Sequence, residues 1–174
     1  MLKETVTAAH HAFVAAGEAR GVDRMYLTSK RKPWFSMERQ QIAPIWAAVF
    51  GRGAMRFVAN DAGVHNLTAF HCVYPFIERP NLVHALVACL NSRIVQSAAR
   101  EHQRAYGGGL QKFEPRDLLD IPVPDLRRVP QRRLDALAAA LAGLARDAGL
   151  EALDDLVMQA AAEAQSPRPV RHAG

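Results

Sequence analysis

At 174 residues and 19.1 kDa, the chain has the size of one ordinary domain. Hydrophobic residues make up 49% and charged residues 22%, which excludes a disordered chain. No run of about eighteen apolar residues occurs, which excludes a conventional membrane-spanning helix. The net charge of +5 is unevenly spread. Residues 1–112 hold 14 Lys or Arg against 7 Asp or Glu (14 − 7 = +7), and residues 113–174 hold 8 against 10 (8 − 10 = −2). The basic excess on the first 112 residues is the footprint a phosphate-binding surface leaves, although basic charge alone does not establish one. Two cysteines, Cys72 and Cys89, make no disulfide framework, and a reducing cytoplasm is expected. Met1 to Arg20 is amphipathic rather than a charged start with an apolar signal core.

Leu2 to Ala19 is predicted to be a helix. Val6, Ala9, Phe13, Val14 and Ala16 recur near helical spacing, and Gly17 and Gly21 loosen its end. Arg24 to Leu27 is a short strand candidate, and Ser29 to Phe35 a loop shaped by Pro33. Ile45 to Phe50, Arg56 to Asn60 and Leu67 to Tyr74 are β-like runs. Turns at Gly51–Gly53 and Asp61–Gly63 predict antiparallel neighbours, and Asn60 should end a strand or begin a turn, since Asn tolerates left-handed geometry and Asp61 follows. A helix over Asn81 to Gln103 has a break point at Asn91-Ser92. Ala105 to Pro115 is predicted to be a loop, Arg116 to Leu119 a helix start, and Ile121-Pro-Val-Pro124 extended. Gln131 to Asp147 and Leu150 to Ala164 close the chain as two helices parted by Gly149. Leu134, Leu137, Leu141 and Leu144 stripe the first; Leu150, Leu153, Leu156 and Val157 stripe the second. The expected fold class is α+β, a single domain with a mixed, mostly antiparallel sheet, flanking helices and a C-terminal helical hairpin. The expected divisions are 1–128, a helical hairpin over 129–165, and a disordered tail over 166–174.

Two segments carry binding chemistry. Lys30, Arg31 and Lys32 adjoin Trp34 and Phe35, so cations for phosphate stand beside rings that pack on sugar or base. A solvated charge run beside a core Trp is the plain alternative. Gly107, Gly108 and Gly109, flanked by Tyr106 and Lys112, allow close backbone approach to a partner; alone they would be a surface loop. Arg52 and Arg56 flank the first turn, as exposed turn arginines or as part of the same surface. His71, Cys72, His84 and Cys89 lack metal-ligand spacing, so the cysteines are expected to be small buried apolar residues and no metal is assigned. Glu114, Asp117, Asp120 and Asp125 look like acids favoured at a helix start. No catalytic constellation emerges.

The order Arg31-x-Pro-Trp34, Arg56-Phe-Val-Ala-Asn60, Leu90-Asn-Ser92, Tyr106-Gly-Gly-Gly-Leu-Gln-Lys-Phe-Glu-Pro-Arg-Asp-Leu118 and Ile121-Pro-Val-Pro124 resembles the C-terminal specificity half of adenine-specific DNA methyltransferases. The Ile-Pro-Val-Pro segment is also similar to type I restriction specificity subunits. The resemblance covers about residues 20 to 150, motif by motif. It implies a bacterial restriction–modification enzyme that moves a methyl group from S-adenosylmethionine to adenine N6, with this module holding double-stranded DNA and reading flanking bases. The family's catalytic Asn/Asp-Pro-Pro-Tyr/Phe loop and methyl-donor motif are not in this sequence, where no two prolines are adjacent. The resemblance therefore implies a non-catalytic chain, with S-adenosylmethionine on a methyltransferase partner or separate domain. Residues expected on DNA are Lys30, Arg31, Lys32, Trp34, Arg52, Arg56, Tyr106, Gly107, Gly108, Gly109 and Lys112. The competing readings are a fragment with residual catalysis, and a protein-interaction subunit docking through its C-terminal helices with DNA contact incidental.

Overall fold

Thr7 opens the first helix, α1 (Ala8–Ala19). Its hydroxyl accepts the His10 amide and the His10 ring accepts the Thr7 amide, a reciprocal cap with His in the place of the usual Glu. The computed structural model describes residues 7–36, 41–51, 53–100, 104–105, 111–112, 114–144 and 149–166. The chain forms two compact units, residues 1–40 and 41–174.

In the first unit, the Trp34 ring stacks on Phe13 of α1 (6.4 Å between centroids) and meets Phe35 edge-on (5.6 Å). Trp34 Nε1 donates to Glu18 Oε1 at 3.4 Å. Gly17 does not loosen the helix end but admits this ring, since a Cβ there would stand 2.7 Å from Trp34 Cζ2. Arg24 to Leu27 is a correction: no strand forms. Val22–Arg24 is a 3-10 turn, and the Thr28 hydroxyl donates to Val22 O and Met25 O, closing the segment on itself. Local side-chain bonds outcompete β propensity where no strand lies ready to pair. Not one described residue of this unit is fully buried.

The second unit is α+β, and all its described strand pairs are antiparallel. Its first sheet has the order β3 (Phe57–Ala59), β1 (Ile45–Ala48), β4 (Phe70–Val73). Ile45 faces Ala59 on one side and Val73 on the other. The runs expected to be consecutive neighbours are therefore reordered, because β4 crosses to the free side of β1 rather than pairing with β3. Ile45 to Phe50 also divides. β2 (Phe50–Gly51) leaves the first sheet and pairs with β6 (Gln111–Lys112), which pairs with β5 (Arg104–Ala105). The expected Ala105–Pro115 loop is thus corrected to a strand pair around residues 106–110, which lie outside the described residues. Strand β3 ends at Ala59 and Asn60 opens the following turn, as expected; Asn60 O accepts the Gly63 amide, and its side chain bonds Ala43 O, Val64 O and Val64 N without left-handed backbone geometry.

Alternation explains which sheet face is covered. Ile45, Ala47 and Phe57 are buried, as are Leu82, Ala85, Val87, Ala88 and Cys89 of helix α2 (Leu82–Asn91). The helix breaks where expected. Ser92 ends α2 and caps α3 (Arg93–Ala99), its Oγ accepting Val95 N–H and donating to Cys89 O, and the two helices bend by 66°. Asp154 receives the Arg93 amide (2.9 Å) and Arg93 Nε (2.6 Å). Two amide side chains then close the open edge of β3. Asn91 exchanges bonds with Phe57 N (3.2 Å) and O (2.8 Å), and buried Gln96 with Met55 N (2.9 Å) and O (2.9 Å).

Helices α4 (Gln131–Leu144) and α5 (Leu150–Gln165) pack together and against α2. Leu134, Leu137, Leu153 and Val157 are buried, with Leu141, Leu144 and Leu156 half-buried against them; Leu150 is exposed. Arg79 donates to Leu126 O (2.7 Å) and Val129 O (3.0 Å), tying the segment after the extended Ile121–Pro124 to the start of α2. Asp117–Asp120 is a 3-10 turn in which Asp117 accepts the Glu114 amide. Among the described residues no single helix is long and apolar enough to cross a membrane. Residues 145–148 and 167–174, which include the end of the expected first C-terminal helix and most of the expected tail, lie outside the described residues.

Three outcomes are expected. Gln96→Leu orphans the Met55 amide and carbonyl and should cost about 1–3 kcal/mol per buried group in denaturant unfolding. Gly17→Val should expel the Trp34 ring at a cost of about 1–3 kcal/mol of local packing, red-shifting its fluorescence in a Trp46→Phe background. The Arg133 hydrogen bond holds the Glu163 carboxyl below its ordinary value of 4.5. A depressed folded value gives stability that is full above 4.5 and lost as pH falls through that lowered value. Glu163→Gln should therefore flatten the acid limb of a pH–stability curve.

Candidate nucleic-acid interface

The loop after α1 holds its cations on an aromatic frame. The Lys30 ammonium lies 5.5 Å from the Tyr26 ring centroid, and Arg31 and Lys32 are exposed where the Thr28–Arg31 turn runs into the Pro33–Ser36 turn. The Lys32–Pro33 bond is cis. Trp34 is half-buried, its ring packed on Phe13 and Phe35.

In the second unit, Arg56 is exposed, and its carbonyl accepts the Ala48 amide at the end of β1. Lys112 stands opposite Phe50 in the β2–β6 pair. Its ammonium lies 5.9 Å from the Phe50 ring centroid and 2.7 Å from Glu114 Oε1. The first sheet's outer face carries Trp46 and Phe70, 5.5 Å apart, and the buried Trp46 Nε1 meets no acceptor among the described residues. Lys30, Arg31, Lys32 and Trp34 thus fall together in the first unit, and Arg56 and Lys112 in the second. Arg52, Tyr106, Gly107, Gly108 and Gly109 lie outside the described residues.

Among the described residues, no three His, Cys, Asp or Glu side chains stand together to hold a metal ion. His84 Nε2 pairs with Asp61 Oδ1 at 2.9 Å. Cys89 is buried, and burial pushes its thiol up to about 12; Cys72 is half-buried and its Sγ donates to Asn66 Oδ1 at 3.1 Å. A cleft of about 510 Å³ lined by Pro44, Pro75, Pro80 and Leu82 contains Arg79, whose guanidinium is already spent on backbone carbonyls. What the described side chains offer is cations beside rings, the chemistry of holding a polyanion.

Sequence reasoning overlooked Phe50, which closes an apolar run and so resembles a core residue, yet is 51% exposed. It also gave Asn91 only the role of a helix breaker. The signal for Asn91 and Gln96 was two amides on an otherwise apolar helical face, where a buried amide needs polar partners.

The family described as type II methyltransferase M.Eco57I, C-terminal domain, matches residues 2–158. The type II methyltransferase M.AccI of Acinetobacter calcoaceticus is 38% identical over 131 residues, covering 72% of this chain and 24% of that protein. The type II methyltransferase M.XamI of Xanthomonas campestris pv. amaranthicola is 26% identical over 118 residues, covering 68% of this chain and 22% of that one. The chain therefore spans less than a quarter of the length of either relative. No solved structure matches it. With the match reaching across both compact units, this chain belongs to the family of C-terminal domains of type II methyltransferases related to M.Eco57I.

Proposed function

We propose that this chain is the double-stranded DNA target-recognition module of a restriction–modification methyltransferase that methylates adenine at N6. Membership of the C-terminal-domain family carries the reading, and the exposed Lys30, Arg31 and Lys32 loop supports it. A base-modifying enzyme must extrude its target from the stack, so a second module that grips the flanking duplex has a defined task. Cations fix that module on phosphates, and side chains at base edges set the sequence read.

The methyl-donor chemistry belongs elsewhere in this reading. S-adenosylmethionine sites of doubly wound folds lie at the carboxyl ends of parallel strands beside a glycine-rich turn. The strands described here are antiparallel, and the sequence has no two adjacent prolines for an Asn-Pro-Pro-Tyr loop. The residues present do not fit a donor pocket. Catalysis is assigned to another part of the same enzyme, in one polypeptide or a separate subunit, working in the cytoplasm. Docking through the C-terminal helices is the weaker reading, because Leu134, Leu137, Leu153 and Val157 are already consumed inside the second unit.

Fluorescence anisotropy with a mixed-sequence duplex over a series of salt concentrations tests the proposal. Affinity should fall steeply with salt. Arg31→Ala with Lys32→Ala should weaken binding to all sequences and reduce the log–log salt slope by about two units, one per lost phosphate contact. Absence of duplex binding at low salt, or an unchanged slope in the double variant, overturns it.

A further inference from the structure

The first sheet of the second unit is apolar on both faces. Ile45, Ala47 and Phe57 point inward and are buried in one core with α2. Successive strand residues alternate between faces, so the residues between these point outward. Register places Val58 of β3, Trp46 of β1 and Cys72 of β4 in one row across that outer face, with Ala48 and Phe70 in the next. The Trp46 and Phe70 ring centroids are 5.5 Å apart there. Val58 is 42% exposed, and Trp46, Ala48, Phe70 and Cys72 are half-buried. None of these five strand positions carries a charge.

An antiparallel sheet with one face in water alternates apolar and polar residues, and strands apolar on both sides belong to sheets covered twice. Charge and size decide what covers this one. A polyanion finds no cation in these rows, whereas an apolar protein surface matches them. M.AccI and M.XamI each carry a body large enough, since the stretch matching this chain is 24% of the first and 22% of the second, and more than three quarters of each lies beyond it. A module that reads the target of a base-modifying site must also be held in fixed register with that site, and a paired sheet in apolar contact supplies the rigidity. The leucine stripes of α4 and α5 do not serve, being spent inside the unit. We infer that the Val58–Trp46–Cys72 face docks an apolar surface of the catalytic part of the methyltransferase. The inference rests on the proposed function and adds to it the surface that joins recognition to catalysis.

Thiol labelling reads this coverage directly, because a covered thiol does not meet its reagent. Val58→Cys puts a thiol at the most exposed of the five positions. Native Cys72 in the same row is a second reporter that needs no substitution, and buried Cys89 is the internal reference. Modification by a maleimide, followed site by site by mass spectrometry, is compared in two proteins. One is the full 174-residue chain, and the other is M.AccI carrying this chain in place of its own matching stretch. The expected result is modification of Val58→Cys and of Cys72 about tenfold slower in the whole enzyme than in the isolated chain. Equal rates in the two proteins overturn the docking face, as does a thiol already protected in the isolated chain. Protection of the isolated chain by a mixed-sequence duplex makes DNA the occupant, and protection that grows with its own concentration makes it a second copy; either overturns the inference. Failure of the DNA reading shows differently, as a wild-type chain that binds no duplex in anisotropy while the labelling contrast persists.

Discussion

The second unit depends on two side-chain amides that behave as a missing strand. Strand β3 is an edge, and the amides and carbonyls of Met55 and Phe57 point away from β1 into protein. Left unpaired there, each would carry the desolvation cost of a buried peptide group. Asn91 at the end of α2 and Gln96 on α3 satisfy all four groups from the two sides of the Ser92 corner, and Gln96 also donates to Leu90 O. The α2–α3 corner, the sheet edge and the core between them are therefore one construction. It also removes an exposed edge that could pair with another chain.

The corner needs its own support. Bending the chain by 66° at Ser92 leaves the first amides of α3 without intrahelical partners. Ser92 Oγ takes one, and Asp154 on α5 takes the Arg93 amide while holding the Arg93 side chain. Helix α5 is thus bound to the corner by a carboxylate as well as by its leucine stripe. Arg79 performs a comparable task at the opposite end of α2, where its guanidinium gathers the carbonyls leading into α4.

Much of this was legible in the residues. The leucine stripes of α4 and α5 repeat at helical spacing, Gly149 separates them at a φ of 113°, and the break at Ser92 was visible in Asn91-Ser92. Strand order was not legible, because β1 accepts partners on both edges and local pattern does not record which run takes which side. β5 and β6 are two residues each, too short for alternation to register. Arg24 to Leu27 shows the reverse error: its Met-Tyr-Leu composition suggests a strand, but Thr28 and Ser29 bond back to the preceding carbonyls. At the candidate interface, residue types were legible and their neighbours were not. Nothing in the sequence foretold that Lys112 would lie over Phe50, or that Gly17 would be the seat of Trp34.

The division of Ile45–Gly51 between two sheets couples the smaller sheet to the unfolding of the larger. Strand β2 prolongs β1, and Val49 between them lies in the core. A molecule held by the β2–β6–β5 face engages backbone that is arranged only while the larger sheet is intact. Its binding free energy then adds to the resistance of the whole second unit to melting, by mass action and without any change of shape. Hydrogen exchange at the Ala48 and Val49 amides, bonded to Arg56 O and Ala69 O, would report events at a surface those amides never touch.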